Sequence, residues 1–301
     1  MVKRVFLFVL TNLAVMVTVS IVLAILGQLG VLNLAGGGQA ALLVWCGVWG
    51  FGAALVSLLL SRWSAKRALG VQLIGPDAPD AGAQRLYATV AHLVQAANLP
   101  MPEVGIYDSP EVNAFATGPS KNRSLVAVST GLLRSLEPAE IEGVLGHEVT
   151  HIANGDMVTM TLIQGVVNAF VLYLAHLVAY AVRAAVSGRD EEGRSSGFLG
   201  YLAGQLAFVA AQIAFGLLGS MITAWFSRRR EFRADAGGAA LAGRGNMVAA
   251  LRRLLENESR VDTRNAPQLA TFKINGRSSL MLLLATHPPL EQRIAALEGR
   301  A

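Results

Sequence analysis

Two histidines four residues apart, with a glutamate beside the first, stand in the segment HEVTHIANGD at positions 147–156. On an α-helix His147 and His151 lie one turn apart on one face, the spacing that lets two imidazoles bind a single zinc ion. Glu148 projects beside that ion, where its carboxylate can act on a water. A catalytic zinc takes three protein ligands and keeps one position for water, so the pair needs a third residue. The segment RRREFRADAGG offers candidates, because Glu231 and Asp235 are four apart and share a helix face. Glu231 could ligate the metal, and Asp235 could accept a hydrogen bond from the second nitrogen of a ligand histidine, fixing its tautomer. The same spacing also describes a solvated face paired with Arg229 and Arg233, and spacing alone leaves both readings open. His92 falls in an early helix and His176 inside a long apolar run, where a packing role suits it better than ligation. In ATHPPLEQRI, His287 precedes two prolines that fix the backbone and start a helix. Its imidazole can therefore be held rigidly at an inner face with Arg293 reaching back towards it. A histidine that merely opens a helix, with Arg293 solvated, fits the same residues.

These groups need a scaffold. The stretch SLEPAEIEGVLGHEVTHIANG reads as one helix: Pro138 suits its first turn, Glu140 and Glu142 suit the positive end of its dipole, and Asn154-Gly155 can close it. Before it, Ala81 to Asn98 has helical apolar spacing and stops at NLPMP. EVGIYDS, VNAFATG and SLVAVSTG follow as short strands rich in Val, Ile, Phe and Tyr, the last two joined across PSKNR as a hairpin. The tail carries a helix from about Arg229, an amphipathic helix over Met247 to Glu256, and a last helix in which Leu290, Ile294 and Leu297 share a face. Elements this short form a compact domain only by packing back on the first polar block, which brings residues near 231 and 287 towards the helix that bears His147.

The rest of the chain is apolar. Of 301 residues 53% are hydrophobic and 15% charged, and the mean hydropathy is +0.48, values that point to a membrane protein. Val5 to Leu26 and Ala40 to Leu60 are uncharged runs of bilayer-spanning length, the first too long for a signal peptide and read as retained. Met157 to Val186 and Phe198 to Phe226 are two more, carrying Gln164, Asn168, His176, Gln205 and Gln212 as polar residues suited to helix contacts. The net charge of +5 does not signal nucleic acid, because the basic residues cluster at the ends of these runs: Lys3 and Arg4; Arg62, Lys66 and Arg67; Arg228 to Arg230. By the positive-inside rule those clusters share the cytoplasmic side, while the loop from Gly27 to Gln39 carries no charge. The sole cysteine, Cys46, excludes an internal disulfide.

HEVTHIANGDM, SRRREFRADAGG, the upstream NAFATG and the late THPPLEQRI, in that order and after two apolar runs, resemble the HtpX family of membrane-bound zinc metalloproteases, gluzincins related to CAAX prenyl proteases. The likeness runs through most of the chain. It implies one Zn2+ per subunit held by His147, His151 and Glu231, with Glu148 as general base and Asp235 behind the ligands. It also gives His287 and Arg293 catalytic roles, His287 donating a hydrogen bond to the tetrahedral oxyanion. An extended substrate would lie along VNAFATG, read by the backbone of Asn113, Ala114, Phe115 and Ala116, although the same strand fits a plain hairpin with Phe115 in the core. The implied function is a quality-control endopeptidase of the stress response that cuts misfolded membrane polypeptides at the cytoplasmic side of a bacterial inner membrane, with the bilayer and no nucleic acid as partner. A CAAX-type prenyl protease is the alternative within the class, though such a relative is expected to have more spans. A membrane scaffold or transporter with a structural HEVTH is the rival outside it. The fold expected is α+β and mainly α: a transmembrane hairpin over 1–62, a first protease part with the HEVTH helix over 63–156, a second hairpin over 157–226, and a second protease part with the third ligand over 227–301. That makes about four transmembrane helices around a zincin-like domain with a small sheet.

Overall fold

The computed structural model describes residues 39–187, 197–265 and 284–299; the expected first span, Val5 to Leu26, lies outside them. The chain divides into two compact units, one built on Leu58–Met160 and Ala224–Ala301, the other on Thr161–Thr223 and the stretch that ends at Ser57.

The second unit takes in the apolar parts of α1 (Gln39–Leu69), α5 (Asp156–Val186) and α6 (Gly197–Ala242), the three described helices long and apolar enough to cross a membrane. Only 11% of the most apolar window of each is buried. Leu206, Ile213, Leu217 and Phe170 all stand more than half exposed, a surface that suits lipid and would aggregate in water. Small residues bring these helices together. A Cβ on Gly50 would come within 2.5 Å of Ala169 N, and one on Gly219 within 2.5 Å of Val167 Cγ1. His176 packs as a ring, edge-on to Trp45 and Phe208, with Nδ1 2.9 Å from Leu172 O.

The other unit carries a four-stranded sheet in the order β1-β2-β4-β3, from β1 (Gln72–Ile74), β2 (Glu103–Tyr107), β3 (Ala114–Ser120) and β4 (Arg123–Ser129). β2 runs parallel to β4, and the two outer pairs are antiparallel. The hairpin is tighter than PSKNR suggests. β3 continues through Pro119 to Ser120, because a bulge between Thr117 and Ser120 puts Gly118 at φ 145° and absorbs the proline in the edge strand. β1 has no sequence signature at three residues; pairing with β2 creates it.

Against the sheet lie α2 (Ala81–Ala96), the short α3 (Thr130–Ser135) and α4 (Pro138–Asn154), with α7 (Arg244–Asn265) and α8 (Leu290–Leu297) completing the unit. Leu93, Leu132, Leu145 and Ile152 are fully buried in one apolar cluster with Val126 and Val128 of β4. Each such side chain contributes about 1.5–3 kcal/mol by leaving water. α4 is bounded as its sequence dictates. Glu137 caps it, Pro138 opens it, Glu140 Oε2 accepts from Glu137 N at 2.8 Å, and Gly155 closes it in the left-handed conformation at φ 68°.

One expectation changes. No helix begins at Arg229, since α6 runs unbroken from Gly197 to Ala242. At 1.5 Å per residue it is about 69 Å long, more than twice the ~30 Å of a hydrocarbon core. The apolar run and the REFRADAGG segment therefore belong to one helix, with Glu231 and Asp235 towards its C-terminal end.

That end meets α4 through glycine. A Cβ on Gly238 would stand 2.9 Å from His147 N and 3.1 Å from His147 Cα; one on Gly146 would stand 3.2 Å from Gly238 O; one on Gly237 would collide with the Thr150 side chain. Backbone cannot yield as a side-chain tip does, so Gly238→Ala must spread α4 from α6. It is expected to lower stability by about 1–3 kcal/mol and to reduce bound metal, read by thermal unfolding and metal analysis on the same sample. An unchanged metal content would show that the helix spacing does not set the site.

Candidate metal centre

On the crossing of α4 and α6, three side chains converge. One ligand atom from each of His147, His151 and Glu231 lies within 4.8 Å of the others. His147 Nε2 and His151 Nε2 are 3.1 Å apart; Glu231 Oε2 is 3.5 Å from the first and Glu231 Oε1 3.4 Å from the second. Zinc bonds of about 2.0–2.1 Å in a tetrahedron set neighbouring ligand atoms about 3.3–3.4 Å apart. These contacts are of that size, one Glu231 oxygen lying nearest each histidine. Glu231 is 1% exposed, and its Oε1 is a buried oxygen without a hydrogen-bond partner among the described residues, which a cation would satisfy.

The nitrogens facing away from the cluster are also held. His147 Nδ1 is 2.9 Å from Asp235 Oδ1, and His151 Nδ1 is 2.6 Å from Asp156 Oδ2. Each imidazole can thus donate N–H outwards to a carboxylate and turn the lone pair of Nε2 inwards, the tautomer a metal needs. Arg293 locks Asp235 with two hydrogen bonds, Nε to Oδ2 at 2.7 Å and Nη2 to Oδ1 at 2.5 Å, and its Nη1 is 3.6 Å from Glu231 Oε2.

The charges follow the same logic. Asp156, Glu231, Asp235 and Arg293 are all buried. Three carboxylates against one guanidinium leave two negative charges, the complement of a dication when both imidazoles are neutral. The imidazoles report that imbalance. Burial alone would push His147 down, but hydrogen bonds to Asp235 and Glu231 outweigh it and hold it above its usual range. Burial opposes charge on His151 too, and Asp156 with Glu231 pushes it up to about 9.

A cleft of about 140 Å³ opens on the cluster, its lining including His147, Glu148, Glu231, His287 and Arg293 together with Val112, Asn113 and Ala114. β3 is the last strand in the sheet order, and Ser129 N donates to Asn113 O at 2.9 Å. With Asn113 facing β4, antiparallel alternation turns the N–H and C=O of Ala114 and Ala116 towards the side of β3 that carries no strand among the described residues. Phe115 instead packs its ring 5.7 Å from that of Tyr107.

Two residues fall elsewhere than the sequence suggests. Arg293, expected to reach back to His287, forks Asp235 instead. His287 keeps an exposed ring and places Nδ1 2.8 Å from Glu231 Oε2, so only Nε2 remains for another partner. Its loop is tied to α6 by Arg228 Nη1, which donates to Ala285 O at 2.7 Å. The rest of the arginine triplet also has local partners, Arg229 over the Trp225 ring and Arg230 at Ser227 and Glu231. His92 lies far out on α2, its ring 68% exposed beside Glu142. Asp156 is the residue that sequence reasoning missed. Its signal was the Gly-Asp that ends the motif: a left-handed Gly155 turns the chain so that the next residue points back at His151.

In site and fold this is a membrane-embedded HExxH metalloprotease whose third candidate ligand comes from a distant helix. The profile of Peptidase family M48 matches residues 80–301. "Protease HtpX" of Shewanella sp. (strain W3-18-1) is 51% identical over 299 residues, 99% of this chain and all of that one. "Protease HtpX" of Shewanella oneidensis is 51% identical over 298 residues, with the same coverage. Among solved structures, the crystal structure of S. mikatae Ste24p superposes with a TM-score of 0.59 at 19% identity, over 94% of this chain and 67% of that one, a likeness of fold. The chain belongs to peptidase family M48 and, within it, to the HtpX proteases.

Asp156→Ala frees the His151 ring without touching a ligand atom. It is expected to weaken metal affinity about 10–100-fold, measured by competition with a chromophoric chelator; affinity equal to wild type would leave the Asp156–His151 contact without a role in the site.

Proposed function

We propose that this protease is a zinc endopeptidase that removes misfolded or damaged membrane proteins at the cytoplasmic face of a bacterial inner membrane. The observation that carries the chemistry is the convergence of His147, His151 and Glu231 at the floor of a cleft that Glu148 also lines. These three would hold the zinc, which when bound supplies Lewis acidity that acidifies water and polarises a peptide carbonyl. Glu148 takes the proton of the attacking water and returns it to the leaving amine, one carboxylate acting as base and then acid. Ala114 and Ala116 present their free backbone groups to an extended polypeptide, which adds as a strand beside β3, while Asn113 and Phe115 keep that strand on the sheet. His287, with a proton on each ring nitrogen so that Nδ1–H donates to Glu231, donates from Nε2 to the oxyanion of the tetrahedral intermediate. Arg293 acts through Asp235 on His147 and so positions a ligand. The full-length match to HtpX relatives favours this reading over a prenyl protease, and a farnesylated C-terminal peptide should be a poorer substrate than an unfolded membrane protein.

The location is supported by the charge pattern, with Arg62, Lys66 and Arg67 at the end of α1 and Arg228 to Arg230 past the apolar part of α6. Misfolded membrane proteins as substrates are supported by the likeness to HtpX and by an open strand edge, which reads backbone and not side chains.

The decisive experiment is cleavage of casein or a membrane protein by purified enzyme reloaded with zinc after chelation. Glu148→Gln is expected to keep one zinc per chain and lose about 10²–10⁴-fold in rate, and zinc loss in that variant would make Glu148 a ligand. His287→Ala should lower kcat by about a hundredfold with zinc and KM little changed; unchanged kcat would remove it from the chemistry.

For the topology, Asp77→Cys in a Cys46→Ser background places a single thiol on an exposed turn of the catalytic unit. In spheroplasts it should resist an impermeant maleimide until the membrane is opened. Labelling of intact spheroplasts would put the site on the other face.

A further inference from the structure

A second concave site lies in the unit of apolar helices. His176, Tyr180 and Arg183 of α5, with Tyr201, Gln205 and Phe208 of α6, line a pocket of about 240 Å³. It is made by close helix contact. A Cβ on Gly204 would fall 3.2 Å from Arg183 Cβ and 3.3 Å from Ala179 O, and one on Gly200 would collide with Ser187 Oγ. These two glycines let the last turn of α5 lie on α6, and the larger side chains beside them become walls.

The lining selects for an anion. Arg183 lies in the last turn of α5 and holds its guanidinium over the Tyr201 ring, 5.7 Å from the centroid. Among the described residues it makes no ion pair, and no carboxylate lines the pocket. Arg183 is itself exposed, and its guanidinium lies over the Tyr201 face at the open side of the pocket. Gln205 and the hydroxyls of Tyr180 and Tyr201 add neutral donors around it. His176 is a wall, since Nδ1 already bonds Leu172 O and the ring is packed edge-on to Trp45 and Phe208. Among the described residues no carboxylate faces this guanidinium, and a phosphate in the pocket would pair with it.

The setting identifies the source of the phosphate. Tyr180 is 75% exposed, and Phe198 and Leu206 beside the pocket are 76% and 65% exposed, so its rim faces acyl chains. Arg183 and Tyr201 lie within about a turn of the helix ends, the depth at which tyrosines and headgroups meet. A substrate helix, about 10–12 Å across with its side chains, is too large for this volume. We propose that the α5–α6 pocket binds the headgroup of one anionic phospholipid from the leaflet at that end of the helices, with Arg183 on the phosphate and Gln205 beside it. The site is independent of proteolysis.

The test is native mass spectrometry of the full chain in detergent, titrated with phosphatidylglycerol or phosphatidylcholine, with glycerol phosphate and inorganic phosphate as soluble competitors. Wild type is expected to retain one phosphatidylglycerol in preference to phosphatidylcholine. Arg183→Ala should weaken that retention roughly fivefold or more, Gln205→Leu should weaken it less, and Arg67→Ala, an exposed arginine at the end of α1, should leave it unchanged. Unaltered zinc content and melting temperature show that each variant is folded. Equal retention of the two lipids, or wild-type retention by both pocket variants, overturns the proposal. Displacement by millimolar inorganic phosphate also overturns it, because the pocket would then be a site for a soluble anion.

Discussion

Glu231 reaches the two histidines because two helices touch backbone to backbone. Helix axes ordinarily stand 8–10 Å apart, a distance set by the side chains between them. Gly146 on α4, facing Ala242 and Gly238, and Gly238 on α6, facing the His147 backbone, take most of that filling away. A metal tolerates errors of only a few tenths of an ångström in its ligand triangle, and a glutamate has a fixed reach. The separation of α4 and α6 is therefore the variable on which the site depends. The capping of α4 by Glu137 and Gly155, the apolar cluster beneath it and the rigidity of an unbroken α6 all serve to hold that one distance.

Electrostatics does the rest of the assembly. α8 has eight residues, too few to be stable alone. It is held by Arg293, whose buried fork grips Asp235, and Asp235 in turn accepts from His147 Nδ1 at 2.9 Å. A break anywhere in that chain would leave a buried charge unpaired, the costliest kind of loss. Folding of the tail and correct aim of the first ligand are thus one event. Asp156 does for the second histidine what Asp235 does for the first, and it is also the opening residue of α5. Two of the helices long and apolar enough to cross a membrane also carry groups of the site: α5 begins at the partner of His151, and α6 carries Glu231 and Asp235 near its end.

What the sequence alone determined is local. The four-residue step from His147 to His151 and that from Glu231 to Asp235 set which side chains share a face, because helix periodicity is an intrinsic property of the backbone. Pro138 and Gly155 mark the ends of α4, since one lacks an N–H and the other tolerates positive φ. Apolar runs at bilayer length mark α1, α5 and α6, since lipid leaves no alternative partner for the backbone. These features need no knowledge of what lies opposite. Tertiary structure decided everything that depends on an opposing surface. Spacing left Glu231 and Asp235 between a metal site and a solvated face, and the approach of α4 put one at the Nε2 atoms and the other at His147 Nδ1. Arg293 lies on Asp235 because burial pairs a guanidinium with the nearest carboxylate, which sequence order cannot reveal. Asp156 became the partner of His151 through a left-handed turn, and β1 became a strand only by pairing with β2. The glycines of ADAGG carry no role legible in the sequence; the fold uses them as absence of volume, a property that exists only when another helix arrives to fill it.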